Sequence, residues 1–210
     1  YRDGRSALAL GADLVQDIDQ YELGFKWGTD NLALYVTAFS TEVDPRQVNF
    51  QFGGDAILTN QESQGIELDA TWRIDGGFSL TFNGTLLETK ITSDDALVDG
   101  NETERQPGWQ LRLTPSYDFS FANVEGTVYG TIAAVDDRWS SAQNIVSLKG
   151  YEKLDLGIIF RINESFIVQI AGDNVTDEEG ITEGDPRNEL SPNGRFIMPR
   201  SFEFSVGYQF

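Results

Sequence analysis

Cysteine and histidine are both absent from the 210 residues. Their absence excludes a disulfide framework, a Cys/His zinc site and a cysteine nucleophile, and it removes the commonest general base. Catalysis would have to run on Ser, Lys, Asp, Glu or Tyr, and no arrangement of these forms a catalytic constellation. A non-enzyme without a cofactor is therefore expected. Basic residues are scarce: 15 Lys and Arg stand against 34 Asp and Glu, a net charge of −19. Such a chain repels nucleic-acid phosphates, so no nucleic-acid partner is expected. No run approaches the roughly 18 apolar residues that a transmembrane helix needs. A transmembrane β-strand needs only about 9–11 residues, half of them apolar, so a membrane location stays open. The chain also opens without a signal peptide, at Tyr1 followed by Arg2, Asp3 and Arg5. That start fits a removed leader or a fragment.

What the chain does have is a two-residue period. From Ser201 to Phe210, Phe202, Phe204, Val206, Tyr208 and Phe210 alternate with Ser201, Glu203, Ser205, Gly207 and Gln209. Side chains of a β-strand point alternately to opposite faces, so this segment has one apolar and one polar face; on a helix the same residues would scatter. The pattern recurs in Tyr21-Leu23-Phe25-Trp27, Ile66-Leu68-Ala70-Trp72-Ile74, Phe78-Leu80-Phe82, Trp109-Leu111-Leu113 and, less cleanly, Leu154-Leu156-Ile158-Phe160. The spacing predicts about nine strands, at roughly 19–28, 31–43, 60–74, 78–90, 108–119, 124–136, 150–161, 166–174 and 201–210. No stretch reads as an amphipathic helix.

The connections alternate strictly between two classes. Thr29-Asp30, Asp75-Gly76-Gly77, Ser120 to Asn123 and Asn163 to Ser165 are short and carry tight-turn residues. The segments 44–59, 91–107, 137–149 and 175–200 are long, polar and acidic. In an up-and-down meander this places every short turn at one end and every long loop at the other, as in outer-membrane barrels. A soluble β-sandwich or lipocalin-like barrel also alternates, but its strands centre on about 5–6 residues and its loops do not segregate this way. Aromatics near strand ends, among them Trp27, Trp72, Phe78, Trp109, Tyr117, Phe119, Tyr151, Phe160, Phe166, Tyr208 and Phe210, suit an interfacial girdle, although strands favour aromatics in any case. The inferred inward face carries Glu67, Asp69, Arg73, Arg112, Asp118, Lys153, Asp155, Arg161 and Glu203. The expectation is an all-β transmembrane antiparallel up-and-down β-barrel. An odd strand count makes 1–210 a piece of a larger one, since bacterial outer-membrane barrels close with an even number.

Five segments, in order, resemble the C-terminal barrel of TonB-dependent receptors: Asp19 to Lys26 with its Tyr-Glu-Leu-Gly; Asn60 with Gly65 and Glu67; Pro107 to Leu113; Tyr151 to Leu156 followed by Val168 to Glu178, with Asp173-Asn174 in place of the family's Asn pair; and Pro199-Arg-Ser-Phe202 with terminal Phe210. The resemblance implies the last nine or so strands of a barrel of about 22, whose N-terminal plug domain is absent here. It implies a receptor in the bacterial outer membrane that takes up a scarce nutrient such as a ferric siderophore, cobalamin or a glycan. Its implied partners are outer-membrane lipid, the TonB complex through the missing plug segment, the small-molecule nutrient, and the barrel-assembly machinery, which reads the terminal strand with Tyr208 and Phe210. The alternatives are another outer-membrane barrel of porin type and a soluble β-sandwich binding module.

Loops on a rigid scaffold commonly carry binding. The candidate ligand-contacting residues are Trp109, Trp139, Arg138, Asp94 and Asp95; the two tryptophans stand at loop–strand junctions, where the commoner role is interfacial anchoring. The acidic stretches 91–107 and 173–190 offer oxygens of the kind calcium prefers, but neither matches an EF-hand loop, so solvated loop charge and no metal site are expected. Arg73, Arg112 and Arg161 are expected to pair with Glu67, Asp69 and Asp155; the alternative is contact with an anionic substrate or the plug.

Overall fold

The computed structural model describes residues 17–48, 57–122, 124–163, 165–184 and 193–208. In chain order the strands are β1 (Asp17–Gly28), β2 (Leu32–Val48), β3 (Ile57–Ile74), β4 (Phe78–Thr92), β5 (Trp109–Phe121), β6 (Val124–Val135), β7 (Arg138–Trp139), β8 (Ser147–Leu148), β9 (Tyr151–Arg161), β10 (Phe166–Asp173), β11 (Ile181–Gly184), β12 (Gly194–Phe196) and β13 (Ser201–Tyr208). Nine of them form one antiparallel sheet in the order β1-β2-β3-β4-β5-β6-β9-β10-β13. Each long strand pairs with its neighbour in sequence, so this is the up-and-down meander the loop lengths imply. The sheet is an open arc. None of the described residues is helical, and no helix is long and apolar enough to cross a membrane.

Register assigns the faces. Residues directly opposite in an antiparallel pair share a face. Phe202, Phe204 and Val206 of β13 lie opposite Gly172, Ile170 and Val168, and the row through Ile170 continues to Ile158 and Val128. On β3 to β5 the same face carries Ile66, Leu86 and Trp109 at one level and Trp72, Leu80 and Pro115 at another. No second layer covers this face: Leu23 is 78% exposed, Leu86 61% and Phe202 75%. A soluble sandwich buries its apolar face, whereas an apolar face standing open across nine strands suits hydrocarbon contact. On β4 the band runs from Phe78 to Leu86, roughly 26 Å along the strand at ~3.3 Å per residue. Beyond it the same face turns polar, with Gln64 donating to Glu88 at 3.1 Å.

Both ends are visible in the side chains. Among the described residues the four close aromatic pairs, Phe78–Tyr117, Tyr117–Phe119, Phe119–Phe160 and Phe166–Tyr208, sit on the apolar face near the short turns. Gly76 and Gly77 supply the positive φ that the β3–β4 turn needs. Asn163 accepts from the backbone N–H groups of Ser165 and Phe166, both at 2.9 Å. The buried apolar core lies at the other end: Ile91, Val98 and Ala142, with Ile57 packed on them, belong to the long-loop side.

Several boundaries differ from the sequence expectation. Both ends of the segment 44–59 are strand, because β2 reaches Val48 and β3 begins at Ile57. The register shifts between Val43 and Arg46, around Pro45, and such an irregularity is where a strand tolerates a residue that cannot donate to the ladder. The expected loops 137–149 and 175–200 each contain a small hairpin, β7–β8 and β11–β12. Tyr151 stands opposite Val135 on the polar face, not in the aromatic girdle. Phe210 lies outside the described residues.

Candidate ligand-facing site

Three long connections are joined into one tier. Asn101 Nδ2 donates to the Ala142 carbonyl at 2.8 Å. The Asn144 side chain closes a two-way bridge, accepting from the Glu102 N–H at 2.8 Å and donating to the Glu102 carbonyl at 3.0 Å. Asn144 holds φ 55°, a left-handed conformation that asparagine tolerates. Arg105 reaches the third connection, pairing with Glu183 and donating to the Gly184 carbonyl. These polar links surround the small core of Ile91, Val98 and Ala142, so the tier is built like a minute domain.

The five candidate residues scatter through this frame. Trp109 ends the apolar band on the open apolar face of β5, where an interfacial anchor would stand. Trp139 donates its indole N–H to Glu102 at 3.0 Å. Arg138 is 6% exposed; its guanidinium donates to the Ile181 carbonyl and lies 5.8 Å from the Tyr151 ring centre. It therefore ties loop to loop and presents no free charge. Asp95 accepts from the Leu97 N–H at 2.9 Å and shapes a turn. Asp94 is exposed. Among the described residues no group of three acids is placed to hold a metal ion.

The family-like motif around Asn174 is a structural knot. Asn174 is fully buried at φ 49°. Its amide donates to the Glu178 and Met198 carbonyls at 2.9 and 3.1 Å, and its side-chain carbonyl accepts from the Glu178 N–H at 2.9 Å. Its own backbone N–H goes to Asp155 at 2.7 Å. Asp177 accepts from the backbone and guanidinium of Arg200. The knot sets the segment before β13 over the polar face, where Ile197 and Met198 help line a cavity of about 530 Å³. At the base of the middle connection, Asp137 accepts from the Gly150 N–H at 2.7 Å and from Lys149 at 2.6 Å. The Gly150 amide chiefly, with Lys149, holds its carboxyl below the ordinary value of 3.8.

The polar face is the lumen wall. One level across it reads Lys26, Tyr35, Asp69, Asn83, Arg112, Ala133 and Lys153. The expected arginine pairings do not form. Asp69 is bonded to Asn83, and Asp155 takes Lys153 at 3.1 Å, while Arg73 and Arg112 have no ion pair among the described residues. The reason is reach: Asp69 and Arg112 stand two strands apart, with Asn83 between them. Arg161 bonds Thr127 at 3.4 Å.

Sequence reading missed Asn101, Asn144, Arg105 and Glu183, which hold the tier together. Their partners come from other loops, so no local spacing marks them.

Known proteins agree with this architecture. The family model described as TonB dependent receptor-like, beta-barrel, matches residues 15–175. The pesticin receptor of Yersinia enterocolitica is 26% identical over 175 residues, covering 78% of this chain and 25% of that protein. The chain thus spans about a quarter of the length of the curated relatives it matches. Among solved structures, the ferric yersiniabactin uptake receptor of Yersinia pestis superposes with a TM-score of 0.80 at 21% identity, over 93% of this chain and 30% of that one. The ferric preacinetobactin receptor of Acinetobacter baumannii gives 0.75 at 24% identity, over 93% and 30%. These two likenesses bear on the fold. With the family match over most of the chain, the chain belongs to the TonB-dependent receptor β-barrel family of the Gram-negative outer membrane.

Proposed function

We propose that residues 1–210 form the C-terminal wall and loop tier of a receptor that imports a ferric siderophore with energy delivered by TonB. The observation that carries this reading is the match over residues 15–175, joined to relatives whose names are those of siderophore and bacteriocin receptors. The wall itself suits the role: lipid on one side, a charged lumen on the other, and a preformed tier of loops at one end. In this reading an upstream plug domain fills the lumen and contacts TonB. The assembly machinery engages the terminal strand with Tyr208 and Phe210. Asp94 and Trp139 lie in the long connections through which a ligand would approach, and Trp109 anchors the wall at the interface.

The test is iron uptake by the full-length receptor in a strain stripped of its own siderophore receptors. Uptake of an iron-55 chelate that disappears on deletion of TonB supports the reading. Passive, TonB-independent entry of small solutes would instead make this a porin-like barrel. A protein that stays soluble without detergent would overturn both.

A further inference from the structure

We propose that the lumen wall carries an anion-binding notch, built by Arg112, Lys153, Gln110 and Tyr151 around the small side chain of Ala133. It receives the negatively charged oxygen group of a ligand on its way through the barrel, an inference that rests on the receptor reading above.

The notch follows from register. Arg112 and Lys153 both stand opposite Ala133, one on each side. Their strands are two spacings apart, roughly 10 Å at ~4.8 Å per spacing. Between them is only a methyl group, so two long cationic side chains flank a gap. One level toward the loops, Gln110 and Tyr151 flank Val135 in the same way and add an amide and a phenol. All six residues line the 530 Å³ cavity, with Asn83 at one side and Ile197 and Met198 above.

The charges make this notch unusual in a chain of net charge −19. Arg112 has no ion pair among the described residues. Asp69 bonds Asn83, and Asp155 divides itself between Lys153 and the Asn174 N–H. A guanidinium in such a wall is a ready partner for carboxylate, catecholate or phosphate oxygens. Depth separates the notch from the loop tier. Arg112 lies three residues below Trp109, roughly 10 Å along the strand at ~3.3 Å per residue, inside the apolar band. A ligand that reaches it has already left the outer surface, so the notch is a waypoint in passage and not the place of first capture.

The lack of native cysteine in this chain offers a direct probe. Ala133→Cys in the full-length receptor, in outer-membrane vesicles, is treated with methanethiosulfonate reagents of similar size, one sulfonate and one trimethylammonium. Rates are normalised to a free thiol, and the parent receptor gives the background. The sulfonate is expected to react about tenfold faster than the cation. Arg112→Gln with Lys153→Gln should abolish that preference, and Arg112→Lys should keep most of it; retained heat-modifiable migration shows that the barrel has formed. A preference unmoved by the double substitution overturns the notch. An introduced thiol that reacts only once the lumen-filling domain is removed also overturns it, because the site is then occupied by the protein itself and closed to a passing ligand. Iron uptake is measured separately. If the parent receptor imports no chelate, the receptor reading fails whatever the thiol rates. If it imports normally while the rates show no charge preference, only the notch fails.

Discussion

Single residues hold this wall together where the ladder ends. Asn174 is the clearest case, since one buried side chain satisfies three backbone groups that would otherwise lie unpaired. Asn174→Ala should cost about 1–3 kcal/mol through those orphaned groups, with a further penalty because alanine tolerates φ 49° less well than asparagine. Faster proteolysis within 193–200 at unchanged barrel migration is the expected readout. Asp137 acts through charge. Its carboxyl is held below the ordinary value, so its support for the base of the middle connection is complete above that value and is lost as pH falls through the lowered one. Hydrogen exchange within 136–150, corrected for its intrinsic pH dependence, should therefore rise only below about pH 4, and Asp137→Asn should raise it in the same segment at neutral pH. Gly65 acts through space: a Cβ there would meet the Leu86 carbonyl and come within 2.7 Å of the Phe39 ring. That close approach explains why this motif position needs glycine.

At the scale of elements, strands and loops obey different logic. The strands need little beyond alternation, because each pairs with the next along the chain and register is set by short turns. The loops need each other. Asn144 links 136–150 to 93–108 through both backbone groups of Glu102, and Arg105 links 93–108 to Glu183 and Gly184. Asn144→Ala should therefore release two connections at once, and hydrogen exchange should rise in 99–103 as well as in 141–146. Exchange confined to 141–146 would show that the bridge carries no cooperativity. The strands were legible from the period alone, to within a few residues at most ends. The hairpins β7–β8 and β11–β12 were not, because strands of two to four residues leave too few alternations to stand out from a polar loop.

For the whole molecule, the solvent on each face decides which substitutions are tolerated. Leu156 sits on the open apolar face, and Thr131 on the lumen side of the neighbouring strand. Leu156→Arg should destabilise the barrel by about 2–4 kcal/mol in lipid vesicles, the cost of a charge near the bilayer midplane, while Thr131→Arg should cost far less. Equilibrium urea unfolding of the two variants separates them, and equal costs would mean that the faces are wrongly assigned. The acidic net charge fits the same geometry, because most carboxylates fall in the loops or on the lumen wall, where water reaches them.

The sequence alone determined the nine strands of the main sheet, the antiparallel meander, the two classes of connection and the family resemblance. These depend on neighbours along the chain: a period of two, a turn residue, a loop length. It also named both sets of side chains without saying which set faced outward. Tertiary structure decided that, through an apolar face left uncovered across nine strands and a polar face overhung by Ile197 and Met198. It also decided the partners of the charged groups on the wall. Sequence reasoning pairs Arg112 with a neighbouring acid, but register sets Asn83 between it and Asp69, so the guanidinium has no ion pair among the described residues. Arg138 reads as a ligand contact in the sequence and is buried against Tyr151 and the Ile181 carbonyl. Such outcomes turn on which strands and loops come within a few ångströms of each other, a distance set only when the sheet curves and its loops close over one end.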